Sequence, residues 1–256
     1  MIEHFLVTGD IHGKIEERVS QIDTTLYPPD NTTALICLGD VGFNFYLNPT
    51  DRKRKEFAQN SGYIFYCIRG NHELRPENLP NIVDIYDEDV DNFILIEKAY
   101  PNVRYLIDGE EYKFGEYSTL VIGGAYSIDK WYRLDGRPED TEQWTGWFKN
   151  EMLSTKEMAL ITRHCCNNLY DFVLTHTCPK SWEPTDLFIS GIDQNTIDKS
   201  MENWLDIFKD CIYWNVWLFG HYHDDRYVQP GVEMFYHAIV DLDDIWEHEQ
   251  ALKRNV

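Results

Sequence analysis

Asp10-Ile11-His12, Gly39-Asp40, Gly70-Asn71-His72-Glu73, Thr175-His176 and Gly220-His221-Tyr222-His223 bring carboxylate, imidazole and amide-oxygen donors into one chain. Those donor types hold hard to borderline divalent cations such as Mn, Fe or Zn, whereas an all-oxygen set would point to Mg or Ca. Asp10 and His12 are two residues apart where the chain turns, so both side chains can face one ion. Asp40 is a natural bridging carboxylate, its two oxygens each taking one ion, and His221 and His223 can serve separate ions. Gly39 and Gly70 let the backbone approach the cations without a clash. Two cations about 3.5 to 4 Å apart clamp a phosphate, lower the pKa of a bridging water and stabilise both oxygens of an in-line displacement. His72, directly after Asn71, would then stand beside the phosphate and protonate a departing alkoxide near neutral pH.

Taken singly, D-x-H or G-D is ordinary turn chemistry. Joint order and spacing give the set its weight. Each stretch follows an apolar, β-branched run, at residues 5–8, 34–38, 63–68, 172–174 and 216–219, and short runs of that kind read as buried strands. Asp10, Asp40 and Asn71 recur about every thirty residues, the length of βαβ units. The clusters are therefore expected to converge at the carboxyl ends of strands, where open α/β sheets place ligands.

Segments 14–25, 50–59, 154–168 and 195–209 have helical character, the third opening with Ser154 and Glu157 in a capping-box pattern. Residues 120–122 and 235–240 add strands, which suggests two packed sheets with helices outside. A chain of 256 residues suits one domain, residues 1–256, with a loop or cap insertion at 126–153. That insertion carries Trp131, Tyr132, Trp144, Trp147 and Phe148 among Lys130, Arg133 and Arg137. It can reach over the site, or pack its own aromatics as a structural excursion.

Lys and Arg total 23 against 44 Asp and Glu, a net charge of −21. A field of that sign disfavours long nucleic acids and anionic membranes, although bound cations can reverse it locally. No run reaches the roughly 18 apolar residues of a membrane span, and the amino terminus lacks signal-peptide features, so a cytoplasmic setting is expected. The six cysteines show no C-x-x-C spacing and are expected as reduced core thiols.

In this order the motifs resemble those of the calcineurin-like metallophosphoesterase superfamily: D-x-H, G-D, G-N-H-[DE], H and G-H-x-H. The likeness runs from Asp10 to His223, and Gly9 to Gly13 and Arg69 to Glu73 are especially similar to the branch of serine/threonine phosphatases and diadenosine tetraphosphatases. The resemblance implies an α/β fold, two packed mixed β-sheets flanked by helices in a four-layer sandwich. It implies one metal on Asp10, His12, Asp40 and His223, a second on Asp40, Asn71, His176 and His221, and His72 as general acid or transition-state stabiliser. The implied activity is that of a dinuclear-metal phosphatase in which a metal-bridging hydroxide attacks phosphorus directly. Its cofactors would be two divalent ions, Mn, Fe or Zn, with Mn the one expected in vitro. Its partner would be a phosphorylated small molecule, nucleotide or phosphopeptide.

One departure stands out. The protein phosphatases continue the second motif into an Asp-Arg pair that orients the catalytic histidine and holds phosphate, and here Phe43-Asn44 occupy that place. Asn44, Arg69, Lys130 and Arg133 are the candidate substrate contacts, set against a salt bridge to Glu73 or another acid for Arg69 and a solvated loop for Lys130 and Arg133. His4, His164, His237 and His248 fit no motif, and the acidic stretch 241–249 reads as solvated surface. A phosphodiesterase or nuclease using the same site is the alternative reading, and a catalytically inactive scaffold of the same fold is a third.

Overall fold

Strands form where β-branched and aromatic side chains can pack on both faces of a pleated surface, which is what a parallel sheet covered on both sides demands. A computed structural model describes residues 1–254. In chain order its strands are β1 (His4–Thr8), β2 (Thr33–Cys37), β3 (Ile64–Cys67), β4 (Ile82–Asp87), β5 (Asn92–Glu97), β6 (Val103–Tyr105), β7 (Glu111–Phe114), β8 (Tyr117–Ile122), β9 (Leu169–Thr175), β10 (Tyr213–Phe219), β11 (Arg226–Gln229), β12 (Val232–Met234) and β13 (Ile239–Asp241). Its helices are α1 (Ile15–Ser20), α2 (Pro49–Asn60), α3 (Lys130–Leu134), α4 (Thr155–Cys165), α5 (Ser200–Phe208) and α6 (Leu242–Arg254).

Two mixed sheets result, ordered β13-β1-β2-β3-β6-β5-β4 and β11-β12-β10-β9-β8-β7. The centre of each is parallel: β1, β2 and β3 in the first, β8, β9 and β10 in the second. Side chains alternate across each sheet. Val7, Ile36 and Tyr66 face Val121, Leu174 and Leu218 in a core between the sheets. Their neighbours Leu6, Leu35 and Phe65 turn outward onto Ile15 of α1 and Ala58 of α2. On the other sheet Val173 and Trp217 turn outward onto Met158 and Ile161 of α4 and Met201 and Leu205 of α5. The result is the expected four-layer α/β sandwich.

Several sequence expectations change. The helices at 14–25 and 195–209 shorten to α1 and α5, and the strand at 235–240 survives only as β13, antiparallel to β1. The acidic stretch 241–249 is not bare surface: it begins α6, which buries Leu242 and Ile245 in the core between the sheets and uses the buried Glu249 to accept the Gly231 N–H at 2.9 Å. The β4–β5 hairpin went unforeseen because it carries no catalytic motif and lies at a partly exposed sheet edge. Cys37, Cys67, Cys165 and Cys178 are free and buried, but Cys166 and Cys211 form a disulfide between the end of α4 and the approach to β10, which corrects the expectation of six reduced thiols. Among the described residues no helix is long and apolar enough to cross a membrane.

The capping box at the start of α4 is present. Ser154 Oγ accepts from the Glu157 N–H and Glu157 Oε2 accepts from the Ser154 N–H. Arg75, two residues beyond Glu73, joins it: Nη1 donates to Glu157 Oε1 at 2.6 Å, while Nε and Nη2 donate to the carbonyls of Asn150 and Met152, each at 2.8 Å. The loop after β3 is thus fastened to the end of the 126–153 excursion. Burial pushes the Glu157 carboxyl up, but Ser154 and Arg75 outweigh it and hold the group at about 2, below its ordinary 4.5. A depressed carboxylate pKa stabilises the fold above the unfolded value, and that contribution is lost as pH falls through the folded one. Ser154→Ala is therefore expected to lower the urea unfolding free energy by about 1 kcal/mol at pH 7. The difference from wild type should narrow as pH drops from about 4.5 towards 2. Equal urea midpoints for the two proteins at pH 7 would contradict the cap.

Candidate metal centre

The motifs sit where parallel strands end: Asp10 and His12 beyond β1, Asp40 beyond β2, Asn71 and His72 beyond β3, His176 beyond β9, and His221 and His223 beyond β10. Backbone bonds lock the loops together, the His12 N–H donating to the Asp40 carbonyl at 2.7 Å and the Gly220 N–H to the His176 carbonyl at 3.0 Å. His12, Asp40, His221 and His223 all have positive φ, at 49°, 47°, 70° and 57°. Such left-handed backbone costs a non-glycine residue about 1 to 3 kcal/mol and concentrates at functional sites.

Each aspartate is anchored through one oxygen and aimed with the other. Asp10 Oδ1 accepts the His221 N–H and Asp40 Oδ1 accepts the His72 N–H, each at 2.8 Å. Asp10 Oδ2 lies 3.2 Å from His223 Nε2 and 3.6 Å from His12 Nε2, and those two nitrogens are 2.8 Å apart. Asp40 Oδ2 is fully buried with no hydrogen-bond partner. Of the two Asp40 oxygens, Oδ1 thus has one backbone donor and Oδ2 has none. The glycines leave space next to the donors. A side chain at Gly39 would strike the His176 ring and one at Gly70 would strike the Asp40 carboxylate, so both make room for the donor groups themselves.

His176 Nδ1 is 2.7 Å from the Leu38 carbonyl. A carbonyl only accepts, so Nδ1 carries a proton, and Nε2 is the nitrogen left to meet a proton or a metal ion. That nitrogen faces Asn71 Oδ1 at 2.8 Å and Asp40 Oδ2 at 3.8 Å. The Asn71 amide is fixed in its orientation. Its Nδ2 donates to Ser127 Oγ at 2.8 Å, and Ser127 Oγ in turn donates to Glu151 Oε2, with Ser127 N–H on Glu151 Oε1. A fully buried Asp40 Oδ2 without a partner, beside a fixed amide oxygen and an imidazole nitrogen, is a donor set that fits a divalent metal. Two groups of donor atoms converge, Asp10–His12–His223 and Asp10–Asp40–His176. His221 joins neither directly; its ring stands edge-on to His176 at 5.0 Å between centroids.

The electrostatics agree. Burial pushes the Asp10 carboxyl up, but the bond to His223 and the charges of His176 and His12 outweigh it and hold it well below the usual range. Asp40 is likewise raised by burial and lowered, on balance, by His176 and His72. Burial and His176 push His221 down to about 3, a neutral imidazole able to act as a ligand. Burial and the Asp40 charge lift Glu73 to about 8, so it sits neutral while its Oε1 accepts the Gly70 N–H at 2.8 Å.

Above the donors opens a cavity of about 660 Å³ lined by His12, Asp40, Asn71, His72, His221 and His223. His72 is mostly buried, its Nδ1 lacks a partner, and burial lowers its pKa ahead of the opposing pull of Asp40. Of the four candidate substrate contacts, only Arg133 faces this cavity. It is ion-paired with Asp129 at 2.7 Å and lies over the Phe45 ring at 5.5 Å. Arg69 is corrected to a buried strut: it bonds Asp108 at 2.9 Å and the carbonyls of Glu151 and Gly123, the salt bridge going to Asp108 and not to Glu73. Asn44 is corrected as well, being buried beneath the loops with Oδ1 3.4 Å from the Tyr105 hydroxyl. Lys130 is corrected to a caged cation, paired with Glu139 at 2.9 Å and set over the rings of Trp131 and Trp147. Tyr126, Ile128, Asp129 and Arg133 of the 126–153 segment line the cavity.

Sequence reasoning missed Arg54 of α2, which lines the cavity and donates to the Gly42 carbonyl at 3.0 Å. It also missed Ser127, Glu151 and the wall at 187–199. No motif flags them; Glu151, an acid in an aromatic-rich segment, was the one available sign.

If Ser127 fixes the Asn71 amide, Ser127→Ala should weaken Mn binding about ten- to a hundredfold, the usual effect of removing a partner that orients a ligand. Ser127→Thr, which keeps the hydroxyl, should restore it. Calorimetric titration with Mn reads the difference, and unchanged affinity in the alanine variant would remove the relay from the account.

No curated protein matches the chain in sequence. The profile of the calcineurin-like phosphoesterase family matches residues 3–225, a span holding every donor from Asp10 to His223. With its four layers, its donor groups at the strand ends and that match, the chain belongs to the calcineurin-like phosphoesterase family, and it is a metal-dependent phosphoester hydrolase by descent.

Proposed function

We propose that the protein is a dinuclear-metal phosphomonoesterase acting on a small phosphorylated molecule, with Mn as the ion that supports it in vitro. The observation that carries this reading is the pair of donor groups sharing Asp10, Asp10–His12–His223 and Asp10–Asp40–His176, at the floor of a cavity that also holds His72 and Arg133. Asp10, His12, Asp40 and His223 would hold one ion, and Asp40, Asn71, His176 and His221 the other. When bound, two such cations put positive charge on the phosphoryl oxygens and acidify the attacking water.

The chain's own residues supply the rest. His72 is placed by its backbone bond to Asp40 Oδ1 and by the edge-on Phe45 ring at 6.3 Å, so its ring can pass a proton to the departing oxygen. Arg133 stands in for the arginine missing after Asp40: its guanidinium is steadied by Asp129, and its charge reaches His72. A walled cavity on a chain of net charge −21 favours a small anion over a nucleic-acid strand. We place the protein in the cytoplasm on the burial of its four free thiols; the Cys166–Cys211 bond is the feature that argues for oxidising surroundings.

Asp40→Ala or His223→Ala should lose both retained metal and turnover. His72→Ala should keep its metal while kcat falls by about 10² to 10⁴, the usual worth of a positioned acid. Arg133→Ala should lower kcat/KM for a monoester by about ten- to a hundredfold, the loss of one or two charged hydrogen bonds. Metal analysis with steady-state turnover of mono- and bis-nitrophenyl phosphate decides the matter. Faster cleavage of the diester would replace the phosphatase with a phosphodiesterase, and a His72→Ala enzyme fully active on a poor leaving group would end the acid assignment.

A further inference from the structure

A metal-binding imidazole is ordinarily held by a hydrogen bond at the ring nitrogen turned away from the ion. His176 has such a bond, from Nδ1 to the Leu38 carbonyl at 2.7 Å. His221 differs: among the described residues its backbone N–H is bonded to Asp10 Oδ1, and its ring takes no hydrogen bond. Two other rings flank it instead, His176 at 5.0 Å and Tyr222 at 4.9 Å between centroids, both edge-on. We propose that Glu202 of α5 is a positioning residue for His221. Acting through the hydroxyls of Thr177 and Tyr222, it fixes the ring on which His221 rests and so sets the affinity for one of the two ions. The proposal rests on the assignment of His176 and His221 to the same ion.

Thr177 Oγ1 donates to Glu202 Oε1 at 2.9 Å and lies 3.2 Å from the Tyr222 hydroxyl. A hydroxyl has one proton to give. Thr177 gives its proton to the carboxylate, so Tyr222 donates to Thr177, and the chain of bonds runs one way, from Tyr222 through Thr177 to Glu202. Thr177 directly follows His176, and Tyr222 lies between His221 and His223. The chain therefore ties the end of β9 to the end of β10, alongside the backbone bond from Gly220 to the His176 carbonyl. Thr177 is also held from behind: Thr175 Oγ1 donates to its carbonyl, and Trp217 Nε1 donates to Thr175 Oγ1 at 3.0 Å. Thr177 is 0% exposed and Glu202 3%, so solvent does not compete for these bonds and they are strong ones.

Glu202 reaches the strand ends from an outer layer. Met201 and Leu205 press α5 onto the second sheet, and Glu202, in the first turn of that helix, is carried to the wall of the cavity. Its Oε2 is buried and has no partner, while the neighbouring Lys199 is paired with Glu183 at 2.6 Å. Oε1 alone therefore makes the bond that holds Thr177. An amide oxygen in the same place would hold it too, and an apolar side chain would not. That difference separates a positioning role from one in which the charge of Glu202 meets metal or substrate.

Calorimetric titration of the full chain with Mn, after chelation and with metal analysis of the product, tests the proposal without reference to turnover. Wild type should take up two Mn. Glu202→Leu and Thr177→Val should each bind one Mn as wild type does and the other about ten- to a hundredfold more weakly, the usual effect of losing a partner that orients a ligand. Glu202→Gln and Thr177→Ser, which keep the acceptor and the hydroxyl, should bind both ions like wild type. Circular dichroism checks that each variant folds, and Thr177→Val, the smaller change, carries the test if Glu202→Leu does not. Equal weakening of both ions, unchanged affinity in the Leu and Val variants, or a Gln variant as weak as the Leu variant would overturn the proposal. A wild-type protein that takes up one Mn would end the two-ion assignment. The clamp on His221 then stands if the Leu and Val variants weaken that ion while Gln and Ser restore it, and falls otherwise.

Discussion

Two carboxylates, Asp10 and Asp40, are buried within a few ångströms of each other with side chains wholly shielded from solvent, and the rest of the structure is arranged around that fact. Burying one such charge is expensive, and burying two of the same sign together is more so unless positive charge lies between them. The chain spends a backbone amide on one oxygen of each, His221 N–H on Asp10 and His72 N–H on Asp40. Of the other oxygens, Asp10 Oδ2 meets His223 Nε2 at 3.2 Å, while Asp40 Oδ2 has no partner at all. A cation held between the two carboxylates would offset both burials.

Everything near the site serves to hold these groups in place. Parallel strands buried on both faces leave little freedom at their ends, so the loops start from fixed points. Positive φ at His12, Asp40, His221 and His223 is tolerated because the surrounding bonds over-determine it. His176 is fixed by the Leu38 carbonyl and Asn71 by Ser127 and Glu151. Arg75 closes the frame by tying the loop after β3 to the start of α4.

This division explains what could be read from the sequence. The donors were legible because each sits in a short string, such as Gly70-Asn71-His72-Glu73, that neither a strand nor a helix requires for itself. The four-layer fold followed from apolar runs spaced by helical segments. Edge elements were not read: β4 and β5 carry no functional string and lie in an acidic stretch at the sheet edge, and α6 hid its buried face among Asp243, Asp244 and Glu247. Charge alone misled at Arg69 and Lys130, since a cation near a motif can be a strut or a caged ion as readily as a ligand, and only geometry separates Arg69 on Asp108 from Arg133 on the cavity wall. Ser127 was invisible because its role depends on a contact with Asn71 across 56 positions of chain.

The metal donors and the substrate contacts therefore obey different logics. Donors must meet at one point, which ties them to strand ends and to recognisable strings. Residues that line the cavity wall need meet at no single point, and here they come from α2, the excursion after β8 and the segment before α5, none of which has a shared pattern. The overall charge of −21 is screened beyond roughly 8 Å in physiological salt, so the charges that matter to an anion are those lining the cavity. Arg54, Arg133 and Lys199 line the cavity of this acidic protein, and with metal in place they reverse the field only inside it. The charge that would meet an anion is therefore local to the cavity, carried by side chains whose own partners fix them in place: Arg54 on the Gly42 carbonyl and Arg133 on Asp129.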